Sequence, residues 1–92
     1  MEYFQRGQEA VERNNLRGGL VYYETFLERY PGDYENTVVA EYWAANIHRK
    51  MGEEDTARQL FNELLEKEDE LRGQVPDWPF VLSRRVLEEM DA

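Results

Sequence analysis

Residues 4–27, FQRGQEAVERNNLRGGLVYYETFL, and residues 42–65, YWAANIHRKMGEEDTARQLFNELL, carry the pattern that decides the fold. Set 38 positions apart, they pair Phe4 with Tyr42, Gly7 with Ala45, Gly19 with Ala57, Tyr23 with Phe61 and Leu27 with Leu65. The same step carries Tyr42 on to Phe80 and Ala45 on to Ser83. Small and aromatic residues recurring at one fixed interval mark a stacked repeat, in which each unit buries its apolar face against the next.

Working outward from these stretches, apolar spacing of three and four predicts five helices and no strand, an all-α chain. The first runs over 2–13, with Tyr3, Gly7, Ala10 and Val11 on one side. Asn14 and Asn15 form a turn, because Asn tolerates left-handed backbone. The second helix covers about 16–30 and is ended by Pro31-Gly32-Asp33, since Pro has no amide to donate and disfavours helix before it. Asp33 or Asn36 caps a third helix running to Met51, where Gly52 supplies a C-terminal stop. A single fourth helix is expected over 53–71, opened by Glu53, Glu54 and Asp55 at the positive end of its dipole. Gly73 and Pro76 interrupt the chain before a last helix at about 78–90.

Each of the first two units thus reads as helix, short turn, helix, with small residues where the helices cross. Tyr3, Gly7, Asn14, Leu16, Gly19, Tyr23, Phe26 and Pro31 in the first, and Ala45, Gly52, Ala57, Phe61 and Leu64 in the second, resemble the tetratricopeptide repeat (TPR). The resemblance covers about 2–67 and implies a single-domain α-solenoid: one repeat at about 2–31, a second at about 34–71 and a capping helix at about 77–91. The 38-residue step exceeds the family's usual 34, and the extra residues fall near Gly32 to Thr37, in a loop or in the next helix. Glu41 and Glu54 stand where the family generally has apolar or aromatic residues. The run Phe26-Leu27-Glu28-Arg29-Tyr30-Pro31, with Ala40-Glu41-Tyr42-Trp43, is similar to the longer-period repeats of bacterial cell-envelope proteins.

Composition narrows the function classes. With 92 residues the chain suits one small domain, and 41% hydrophobic content favours folding over disorder. Twenty Asp and Glu against eleven Lys and Arg leave a net charge of −9, which opposes phosphate neutralisation and argues against a nucleic-acid partner. No apolar run approaches the roughly 20 residues of a membrane span, so no membrane insertion is expected. The chain has no Cys and one His, so thiolate chemistry is excluded and a metal or catalytic role for His48 lacks partners. Neither an enzymatic activity nor a cofactor is expected. No signal-peptide pattern opens the chain, and cytoplasm and periplasm are both compatible with its composition.

A short helical array of this kind implies a protein or peptide partner. In the TPR family the first helices of successive repeats line a concave groove, which implies a surface here formed by Phe4, Gln8, Val11, Tyr42, Asn46, Arg49, Lys50, Phe80 and Arg84. Tyr and Arg suit such a surface through rigid contact area and planar hydrogen bonding. The competing reading is that Phe4, Tyr42 and Phe80 pack between helices, and that Arg49, Lys50, Arg84 and Arg85 pair with Glu53, Glu54, Glu88 or Glu89. His48 stands where the family commonly places an interhelical Tyr, which implies a structural imidazole. The last helix has no partner to cover it. Either Leu82, Val86 and Met90 turn inward as a cap, or they join Trp78 in a homo-oligomer interface.

Overall fold

In a computed structural model, which describes residues 2–92, six α-helices and no strand are present among the described residues. They are α1 (Glu2–Glu12), α2 (Leu16–Arg29), α3 (Tyr34–Lys50), α4 (Glu54–Glu66), α5 (Glu68–Leu71) and α6 (Trp78–Asp91). Helices α1 and α2 form one hairpin and α3 and α4 a second; α2 packs on α3, and α6 packs chiefly on α4.

The two hairpin turns repeat each other bond for bond. Asn14 donates its amide to Val11 O and Asn15 to Ala10 O, and 38 residues on Gly52 donates to Arg49 O and Glu53 to His48 O. The residue that must turn left-handed is Asn14 in one (φ 63°) and Gly52 in the other (φ 83°), both residue types that tolerate that conformation. Where the helices cross, small residues let them close in. A Cβ on Gly7 would stand 2.7 Å from Cε2 of Tyr23, and one on Gly19 would stand 3.1 Å from the backbone oxygen of Gly7.

Helix α3 is the shared wall of the molecule. Its Ala40, Ala44 and Ile47 join Leu20, Tyr23 and Phe26 in one core cluster. Its Val38, Tyr42 and Ala45 join Ala57, Phe61, Leu64, Leu71, Phe80 and Val86 in the other. Helix α3 is 17 residues long and begins at Tyr34.

One expectation is corrected. The single helix expected over 53–71 is broken at Lys67, whose amide bonds Leu64 O at 3.1 Å, three residues back instead of four. The short α5 then sets off afresh, bringing Leu71 into the core and Glu68 to Arg84 of α6. There are therefore six helices and not five.

The last helix turns its apolar residues inward. Val86 and Phe80 lie in the core, Leu82, Leu87 and Met90 pack against it, and Ser83 is buried with its hydroxyl donating to Pro79 O at 2.6 Å. Arg84, Arg85, Glu88, Glu89 and Asp91 remain on the exposed side.

Candidate functional site

The residues implied as a groove do not form one open surface. Tyr42 and Phe80 are buried, 7% and 2% exposed, and the Tyr42 ring packs on Phe61 at 5.9 Å and on Trp78 at 5.5 Å. Phe4 leans on Tyr23 and Phe26, with ring centroids 5.7 and 5.0 Å away. These aromatics fill the spaces between helices, as buried rings at helical spacing do. Gln8, Val11, Asn46 and Arg49 are half-buried, and Lys50 and Arg84 are exposed.

The basic cluster is also divided. Arg49 reaches Glu89 of α6 at 3.4 Å, whereas Arg84 makes two bonds to Glu68 of α5, a partner that spacing along one helix does not reveal. Arg84 holds the Glu68 carboxyl below the usual range, chiefly by hydrogen bonding. His48 Nδ1 lies 2.8 Å from Glu53 Oε1, a link between the end of α3 and the start of α4. Of the four residues expected at a self-association surface, Val86 is buried and Leu82 and Met90 pack on the core, because α6 presents that arc to α4. Trp78 is 36% exposed, its ring lying against Tyr42 and Trp43.

The deep concavity lies elsewhere. A cavity of about 600 Å³ opens between α2 and α4, over α3. None of the expected groove residues lines it. Its floor comes from α3 residues Tyr34, Thr37, Glu41, Ala44 and His48, spaced three, four, three and four apart and so stacked along one face. Leu27 and Glu24 of α2 form one wall; Leu60, Glu63 and Lys67, with Leu71 of α5, form the other. The first turns of α3 supply Tyr34 and Thr37, and Thr37 Oγ1 donates to Tyr34 O at 3.2 Å, satisfying its hydroxyl within the helix.

The cavity lining mixes apolar and acidic residues. Glu24, Glu41, Glu63 and Glu70 all line it, against one lysine, and Lys67 Nζ lies 2.8 and 3.0 Å from the two oxygens of Glu41. A pocket of this size suits a small ligand or the anchoring side chains of a peptide. Its field attracts cations, and apolar walls concentrate that field. Sequence spacing contained this stripe, and Glu41 stood out as a departure from the repeat pattern, but the opposite face of α3 was the one implied by the resemblance.

Burial also raises the pKa of two tyrosines, Tyr42 and Tyr23. The Tyr23 hydroxyl is buried between α1 and α2 without a hydrogen-bond partner, and burial pushes its pKa up to about 12. Among the described residues no group of three His, Cys, Asp or Glu side chains is placed to hold a metal ion, and no helix is long and apolar enough to cross a membrane.

No family model matches this chain, and no curated protein or solved structure matches it.

Proposed function

We propose that the chain is a non-catalytic protein-interaction module, a TPR-like solenoid of two hairpins closed by α6, that takes a basic amphipathic peptide or helix in the cleft between α2 and α4. The observation that carries this reading is the cleft itself: about 600 Å³, lined by Leu27, Ala44, Leu60 and Leu71 together with Glu24, Glu41, Glu63 and Glu70. An apolar side chain of the partner would meet the apolar lining, while Lys or Arg residues beside it would meet the carboxylates. Apolar burial then supplies affinity, and charge supplies steering and selection against acidic partners. The net charge of −9 extends the same preference over the whole surface.

The test is a titration of the isotopically labelled chain with two amphipathic peptides of equal length, one built from Lys and Leu and the other from Glu and Leu. The basic peptide is expected to shift the amide signals of Leu27, Ala44, Leu60 and Leu71, to weaken with added salt, and to lose binding in a Glu24→Lys/Glu63→Lys variant. Equal binding of the acidic peptide, or shifts confined to Gln8, Asn46 and Arg49, would overturn the reading.

A further inference from the structure

Beside the turn between α2 and α3 lies a second concavity of about 300 Å³, lined by Glu2, Tyr3, Phe26, Tyr30 and Asp33. It shares no residue with the cleft. Phe26, 1% exposed, forms its back wall, and Tyr30, 48% exposed, forms its outer one. The Phe26 and Tyr30 rings are 5.3 Å apart at 34°, while Tyr3 stands across both, 6.2 Å from each at 62° and 66°. Three rings therefore make a corner instead of a stack. At its rim Asp33 accepts a hydrogen bond from the neutral amide of Asn36 at 2.9 Å, and Glu2 is joined by Arg6 at 2.7 Å.

The repeat carries different chemistry at the counterparts of two of these rings. Thirty-eight residues on, Phe26 is matched by the buried Leu64, but Tyr3 is matched by Glu41 and Tyr30 by Glu68. The second hairpin closes with carboxylates at both positions.

The geometry points to a binding site for an alkylated ammonium cation, held against the rings of Tyr3 and Tyr30, with the buried Phe26 behind them and Asp33 at the edge. Ring faces attract a cation, and a quaternary ammonium, with its charge spread over methyl groups, gives up less hydration on entering than a primary ammonium does. Carboxylates at the rim add long-range attraction without having to touch the methyl groups. The cation can be carried by a methylated lysine of a protein or by a free small amine, and both present the same head.

The probes are choline and its uncharged isostere 3,3-dimethylbutanol, titrated while the ring signals of Tyr3 and Tyr30 are followed. Choline is expected to give saturable shifts and to bind at least about five-fold tighter than the isostere; Tyr30→Leu and Asp33→Asn should each weaken it by about three-fold or more. Both side chains lie at the surface, and an unchanged circular dichroism spectrum checks that each variant is folded. Equal binding of the isostere, unaltered choline affinity in Tyr30→Leu, or no saturable shift at all would overturn the assignment. A trimethyllysine peptide compared with its unmodified twin tells the sources apart: a methyl-dependent gain over free choline identifies a protein-borne cation, and parity identifies a small amine. Because Glu24→Lys/Glu63→Lys leaves this corner intact, choline binding in that variant separates failure of this site from failure of the cleft.

Discussion

The two hairpins solve one packing problem with different residues. In the first, Gly7 and Gly19 leave room for the full ring and hydroxyl of Tyr23; in the second, Ala45 and Ala57 meet Phe61, which lacks the hydroxyl. The first turn uses Asn14 and caps α2 with Asn15 Oδ1, which accepts from Gly18 N at 3.0 Å. The second uses Gly52, and Glu53 at the cap position makes no side-chain cap bond and meets His48 instead. The repeat conserves space and turn geometry, and lets chemistry vary within them. The first hairpin carries an orphaned hydroxyl and turns on a residue other than glycine. The second has neither.

That comparison can be broken most severely by exporting the hydroxyl. Phe61→Tyr places a buried, unpartnered O–H where Ala45 and Ala57 leave no space, and we expect a loss of about 2–4 kcal/mol in denaturant unfolding. Gly7→Ala runs the exchange the other way. The new methyl meets the Tyr23 ring at a distance no relaxed contact shows, so a net loss of about 1–2 kcal/mol is expected after the gain in helix propensity.

Tyr23→Phe should sharpen the comparison by making the hairpins alike, with a gain of about 1 kcal/mol as the orphaned hydroxyl disappears. It also has a pH signature. Since the folded-state pKa of Tyr23 is raised, the contribution is complete below the unfolded value near 10 and is lost as pH rises toward about 12. Wild type should therefore lose stability across that alkaline window, and Tyr23→Phe should lose less. At the caps, Asn15→Ala is expected to cost about 1 kcal/mol and Glu53→Ala less, because only Asn15 satisfies a helix amide. The smallest effect belongs to Glu68. Its pKa is lowered, so its stabilising pairing is present above the unfolded carboxylate value and fades as pH falls through the folded one; Arg84→Gln should flatten that part of an acid titration slightly.

Much of the fold could be read from residue types that act locally. Pro31, Asn14 and Gly52 end helices through backbone constraints, so those boundaries were legible, whereas the sequence left α6 open between an inward cap and an interface. The break at Lys67 was not legible, because Glu66 to Glu70 contains no Gly or Pro and suits a continuous helix. What redirects the chain there is distant: Leu71 reaching the core and Glu68 reaching Arg84. The cleft was hidden for a related reason. Helix α3 touches α2, α4 and α6, so apolar residues occur nearly all round it and no single face announces itself. The stripe from Tyr34 to His48 is a cavity floor only because α2 and α4 stand apart above it.

Lys67 gives the cleft a resident competitor. Its ammonium already sits on both oxygens of Glu41, tethered to the same chain, so an incoming cation meets an occupied carboxylate and must exchange with a group that never diffuses away. At Glu41, entry of a proposed cationic partner would therefore be a substitution and not an addition, whereas Glu24, Glu63 and Glu70 hold no lysine to displace. A planar guanidinium, able to grip both oxygens at once, is favoured in that exchange over a second ammonium, which offers only what Lys67 already provides.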